Sequence, residues 1–179
     1  EIRKLIPTAE ANDWFLKKDI AGEWAGLITL AAFTGLRLGD LLRLEDKHVV
    51  GTDLQLVTEK TSKSLKIPLA PPCLRWIGER KGKFFPTLAR QSKGTTSTQF
   101  TRLMAKAGID RDVNLSGDLT ARRSFHSLRH TFISWLADRG VNPDVRQKLT
   151  GHSSPGIHAG YSHYDEELQR AIEVLPAEL

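Results

Sequence analysis

The sequence predicts a mainly α-helical chain with one small antiparallel β-sheet, an α+β fold. Apolar residues recur at helical spacing in several segments, and three of these run into a glycine, at Gly35, Gly108 and Gly140. One stretch between Val49 and Leu69 instead alternates apolar and polar positions on either side of turn residues. No internal repeat or low-complexity tract suggests a solenoid or a disordered tail.

Taken in chain order, Trp24 to Phe33 is rich in alanine and large apolar residues and lacks proline, so it predicts a buried helix ending near Gly35. Arg37 follows at once. Gly39-Asp40 leads into Leu41, Leu42 and Leu44, with Asp40 placed either to cap that short segment or to hold a nearby arginine. Leu54, Leu56 and Thr58, then Thr61 to Ser64, then Leu65, Ile67 and Leu69 read as a β-hairpin with Lys60 near its tip. Pro71-Pro72 ends the sheet region, and a helix carrying Leu74, Trp76 and Ile77 is expected before Gly82. After a loop over 84–94, Phe100, Leu103, Met104 and Ala107 share a helical face. Leu128, Phe132, Ile133, Trp135 and Leu136 mark the next helix. Asn142-Pro143, a cap followed by proline at the first helical position, opens another that runs to about Leu149. Ser153 to Gly156 is a break, and Leu168, Ile172 and Leu175 lie along a final amphipathic helix.

The 179 residues suffice for one domain with a substantial core, and the whole of 1–179 is read as that single domain. Hydrophobic residues make up 40% and charged residues 26%, ordinary values for a soluble globular chain. No apolar run approaches a bilayer span and no charged-then-apolar leader opens the chain, so the expected location is the cytoplasm, without membrane contact. Cys73 is the single cysteine, which excludes an internal disulfide and leaves no thiolate cluster for structural zinc.

Net charge is +5, but its distribution says more. From Glu79 to Arg111 eight basic residues face two acids, whereas Tyr164 to Leu179 holds one base and five acids. A polyanion would prefer the first stretch and avoid the second.

Six residues carry candidate chemistry: Arg37, Lys60, His126, Arg129, His152 and Tyr161. Two guanidiniums can grip a phosphate bidentately, a lysine and imidazoles can move protons, and a phenol can act as a covalent nucleophile. His126 and Arg129 are three apart at the start of a predicted helix, so both can reach one small anion. His126 and His130 are four apart, a metal-pair spacing, but no glutamate follows His126 and no third ligand is evident; no metal is expected. No phosphate-cradling glycine loop is present.

Thr34-Gly35-Leu36-Arg37-Leu38-Gly39-Asp40-Leu41, His126-Ser127-Leu128-Arg129-His130-Thr131 and Leu149-Thr150-Gly151-His152 before Tyr161 resemble the tyrosine recombinase, or phage integrase, family. Lys60, in the hairpin before Ile67-Pro68-Leu69, extends the match. The resemblance implies the DNA breaking-rejoining fold of that family's catalytic domain. It also implies a site-specific recombinase that integrates or excises mobile DNA in a prokaryotic cell or a phage-infected host. Arg37 and Arg129 would clamp the scissile phosphate, Tyr161 would attack it to form a 3′-phosphotyrosyl link, and His126 would manage the tyrosine proton. Lys60 would protonate the departing 5′ oxygen, His152 would hydrogen-bond the phosphate, and Asp40 would buttress the site. The implied partners are double-stranded DNA sites and, for the intact protein, a homo-tetramer, and the resemblance implies that no nucleotide or other cofactor is needed.

Lys63 competes with Lys60 and Tyr164 with Tyr161, because hairpin register and helical phase are hard to read from sequence. The family's amino-terminal DNA-gripping domain has no counterpart here, so a catalytic fragment is expected. A type IB topoisomerase, which uses the same residue types, and a non-catalytic DNA-binding accessory protein are the alternative functions.

Overall fold

A computed structural model of the chain describes residues 2–11, 18–114, 120–151 and 161–178, with the side chains of residues 18–19 and 161–164 outside that description. Helix α1 (Ile2–Glu10) sets Leu5 and Ala9 against α2 (Lys18–Thr34). Trp24, Leu27, Ile28, Leu30, Ala31, Ala32 and Phe33 are all buried, so α2 is apolar on every side and runs through the core. The expected helix is therefore present and starts earlier than its apolar run.

The short helix α3 (Leu38–Leu42) follows, and then a three-stranded antiparallel sheet in the order β1 (Val49–Val50), β2 (Asp53–Val57), β3 (Ser64–Pro68). Leu54 pairs with Ile67 and Leu56 with Leu65, and all four are buried, so one face of the hairpin lies on the core as the alternation predicts. Leu69 falls just past the strand. Helix α4 (Pro71–Ile77) crosses α2 at Gly26, where a Cβ would land inside the Trp76 indole. The ring stacks on Phe85 at 5.3 Å between centroids, and its Nε1 donates to the Gly22 carbonyl at 3.3 Å. This helix stops at Gly78, earlier than Gly82, because Gly78 takes a φ of +48°.

Ser92 caps α5 (Lys93–Lys106) by accepting the Thr95 N–H at 3.0 Å, and Phe100, Leu103 and Met104 form its buried stripe. A two-stranded ribbon, β4 (Asp112–Asn114) and β5 (Thr120–Arg122), precedes α6 (His126–Asp138). Helix α7 (Pro143–Thr150) begins where Asn142 Oδ1 accepts the Asp144 N–H at 2.8 Å. Helix α8 (Tyr161–Glu173) buries Leu168, Ala171 and Ile172 and packs on α7 and β3. An ion pair between Lys66 and Asp165, at 2.7 Å, also joins α8 to β3.

The architecture is mainly helical with small antiparallel sheets. Three features were not expected from the sequence. Helix α1 forms despite Pro7, the ribbon has no buried face, and the buried Glu23 carboxylate accepts the Thr87 and Leu88 N–H groups at 2.8–3.1 Å.

Candidate active site

The end of α2 shapes the site. Gly35 takes a φ of +63°, and a Cβ there would sit 2.5 Å from the Phe132 ring, so neither the backbone nor the space admits a side chain. Its carbonyl accepts Arg129 Nη1 at 2.6 Å, while Arg129 Nη2 donates to the carbonyl of Thr150, the last residue of α7, at 2.7 Å. Both acceptors lie at helix C-terminal ends, where carbonyls lack intrahelical partners and a cation is favoured. Arg129, 3% exposed, thereby joins α2, α6 and α7 at one point.

Arg37 is the N-cap of α3, with an extended backbone at φ −73° and ψ 151°. Burial in the first place, and the charge of Arg37 in the second, pull the Arg129 guanidinium down to about 10, with Asp40 opposing the shift. Arg37, Arg129 and Asp40 thus share one electrostatic neighbourhood. Arg37 and His126 face a common groove of about 390 Å³, with Lys93 and Ser97 of α5 and Ser124 on the same walls. His126 is exposed while Arg129 is buried, although both lie in the first turn of α6. The His126 and His130 rings meet edge to face at 4.9 Å between centroids.

Asp40, 2% exposed, makes no cap hydrogen bond. Its Oδ1 accepts the Glu59 N–H at 2.7 Å and Arg43 Nη2 at 3.0 Å. Of the two roles open to it, holding an arginine is the one it fills, and it also fastens the hairpin. Lys60 follows Glu59 directly, exposed in the turn between β2 and β3. Lys63, half-buried, closes the turn through its backbone: the Thr58 N–H donates to its carbonyl at 2.9 Å, and its own N–H donates to Thr58 Oγ1 at 3.2 Å.

Tyr161 is the first residue of α8, and Tyr164 lies one turn further on; neither side chain is among those described. His152 falls in 152–160, outside the described residues. Sequence reasoning missed Arg43 and Lys93. The three-residue spacing of Arg43 from Asp40 was the available signal for the first. The second lies in the basic stretch from Glu79 to Arg111, but nothing local in the sequence set it apart there.

Residues 1–167 match the profile of the phage integrase family. The tyrosine recombinase XerD of Lacticaseibacillus casei is 27% identical over 151 residues, covering 75% of this chain and 48% of that protein. The chain therefore spans about half the length of that curated relative. The integrase of mycobacterium phage Brujita superposes with a TM-score of 0.70 at 22% identity, over 97% of this chain and 56% of the other. Lambda integrase superposes both as its catalytic core and as a tetramer bound to a Holliday junction. The core gives a TM-score of 0.60 at 23% identity, over 85% of this chain and 92% of that one. The tetramer gives 0.61 at 23% identity, over 90% and 47%. At these identities the structural likeness establishes the fold.

Proposed function

The chain belongs to the phage integrase family, and on that premise we propose that it is the catalytic domain of a site-specific DNA recombinase. The observation that carries this reading is the pairing of two guanidiniums. Arg129 is buried and held by two helix-end carbonyls, Arg37 is close enough to disfavour its charge, and a groove shared by Arg37 and His126 opens beside them. Such a pair is stabilised by an anion that accepts hydrogen bonds from both, as a phosphodiester does.

In the proposed reaction Tyr161 Oη attacks the scissile phosphorus and gives up its proton to His126. The phosphorus–O5′ bond breaks as the phosphotyrosyl bond forms on the 3′ side. Lys60 gives its proton to the departing 5′ oxygen and regains one from solvent. Arg37 and Arg129 stabilise the charge on the non-bridging oxygens, and His152 adds a hydrogen bond there. An ordinary phenol titrates near pH ~10, so attack near neutrality requires this cationic surrounding and a base. The energy of the broken bond is kept in the phosphotyrosine, which lets a second 5′-hydroxyl reverse the step. The substrate class is double-stranded DNA carrying a recombination site, and the working assembly of the intact protein is a homo-tetramer. The tetrameric lambda integrase on its Holliday junction supports both.

The test is incubation with a nicked duplex whose short 5′ fragment diffuses away after cleavage, trapping a covalent protein–DNA adduct. The expected result is an adduct with the chain as given and none with Tyr161→Phe, at similar DNA affinity. An adduct that persists in Tyr161→Phe moves the nucleophile to Tyr164, and absence of any adduct on a cognate site overturns the enzymatic reading. Intact protein that relaxes supercoils without exchanging two sites points to the topoisomerase alternative.

A further inference from the structure

We propose that Arg43 is a positioning residue for Lys60, acting through Asp40 and the backbone of the hairpin. The inference rests on the reading of Lys60 as the proton donor to the 5′ oxygen and adds the means by which its loop is aimed.

The ladder between β2 and β3 ends at the Val57–Ser64 pair, leaving residues 58–63 to form the turn. Within it, Thr58 and Lys63 exchange backbone and hydroxyl hydrogen bonds, Ser62 donates its N–H to the Thr58 carbonyl at 3.0 Å, and the Thr58 and Thr61 hydroxyls lie 2.7 Å apart. These bonds close the turn on itself at the end of β2. Its direction is set from outside. Arg43 Nη2 donates both to Asp40 Oδ1 at 3.0 Å and to the Val57 carbonyl at 3.1 Å, and the same Asp40 oxygen accepts the Glu59 N–H at 2.7 Å. Val57 and Glu59 flank the exit from β2, and Lys60 is the next residue. Arg43 also compensates a carboxylate that is 2% exposed, without which Asp40 would hold its charge at higher cost.

The ends of α3 give this tie its meaning. Arg37 is the N-cap of that helix and Arg43 its C-cap. Six residues at the helical rise separate them by about 9 Å. One rigid turn and a half of helix thus carries a phosphate-directed arginine at one end and the hairpin anchor at the other, so the Lys60 loop is registered to the same element as Arg37. A third tie is the ion pair of Lys93 with Glu59, at 2.7 Å, which lies across Gly39, where a Cβ would sit 2.5 Å from the Glu59 carboxylate. That pair is exposed on both sides and is the weaker restraint.

The experiment measures single-turnover cleavage of the nicked duplex with the full chain, on a normal phosphodiester and on one whose 5′-bridging oxygen is sulfur. A thiolate is a far weaker base than an alkoxide and leaves without a proton donor. Lys60→Ala serves as the reference, slow on oxygen and restored on sulfur. Arg43→Ala is expected to lose about tenfold or more on the oxygen substrate, as a misaimed group does, and to fall within about twofold of the parent on sulfur. Arg43→Lys, which keeps the charge and shortens the reach, is expected to lie between them, and melting curves show whether each variant is folded. Equal slowing of Arg43→Ala and Arg43→Lys on both substrates, or no slowing on either, overturns the inference. If Lys60→Ala itself is not restored by sulfur, the assignment of Lys60 as proton donor fails, and the positioning role falls with it.

Discussion

Arg129 and Lys60 are held in opposite ways. Arg129 is 3% exposed, with its terminal nitrogens donating to the carbonyls of Gly35 and Thr150, so three helices fix where its charge lies. Lys60 stands exposed in a turn whose outward ties run through the backbone of Val57 and Glu59 and, more weakly, through the exposed Glu59–Lys93 ion pair. Burial gives the arginine a fixed position and charges it a desolvation cost, visible in its lowered proton affinity. Exposure spares the lysine that cost and keeps solvent within reach, which its proposed role as a proton donor requires. Position is therefore built into the side chain in one case and into the loop beneath it in the other.

The largest effect expected from this contrast is on Arg129. Arg129→Ala leaves two buried helix-end carbonyls without their donor, so urea denaturation should show a loss of about 2–5 kcal/mol together with the loss of adduct formation. Arg129→Lys restores the charge without the fork and should leave cleavage down by about a hundredfold or more. A stability change under about 0.5 kcal/mol for Arg129→Ala would break the comparison at its buried end.

Lys60→Ala should do the reverse. Stability is expected to stay within about 0.5 kcal/mol, as for other exposed positions, while cleavage falls by about 10²- to 10⁴-fold. A substantial shift in denaturation midpoint would show that Lys60 is part of the packing. If Lys63→Ala abolishes cleavage and Lys60→Ala does not, the proton donor is the other lysine of the turn.

The smallest effect sharpens the buried end. Below about 10, Arg129 is protonated in both folded and unfolded chains while the fold disfavours its charge, so the cost of that charge is fully present at neutral pH and is relieved only as pH rises through that value. On the proposed reading, an anion bound between Arg37 and Arg129 offsets it. Sulfate or inorganic phosphate at roughly five times its Kd should stabilise the protein by about 1 kcal/mol in thermal melts, and Arg37→Ala should remove that gain. Equal anion stabilisation in Arg37→Ala would place the binding elsewhere on the basic surface.

Much of the fold could be read directly because its elements carry local signals. Trp24 to Phe33 is apolar all round, Leu54 and Leu56 alternate opposite Leu65 and Ile67, and Gly35, Gly108 and Gly140 take the positive φ angles that end helices. Helix α1 escaped notice because Pro7 sits within it and its burial rests on two residues, Leu5 and Ala9. The ribbon of β4 and β5 escaped because, with no buried face, it leaves no apolar alternation to find.

For the candidate site, the sequence by itself determined the inventory: which guanidiniums, imidazoles, lysines and phenols exist, and that short-range patterns place Arg37 after a helix end and Lys60 in a turn. It could not show that Arg129 is buried while His126, three residues away, is exposed, nor that Asp40 fastens the hairpin and caps nothing. Those outcomes depend on partners such as Thr150, Gly35 and Glu59 that lie 19 to 94 positions away along the chain. A helical period tells which residues share a face; only the packing of α2, α6 and α7 decides which of them meets a carbonyl and which meets water.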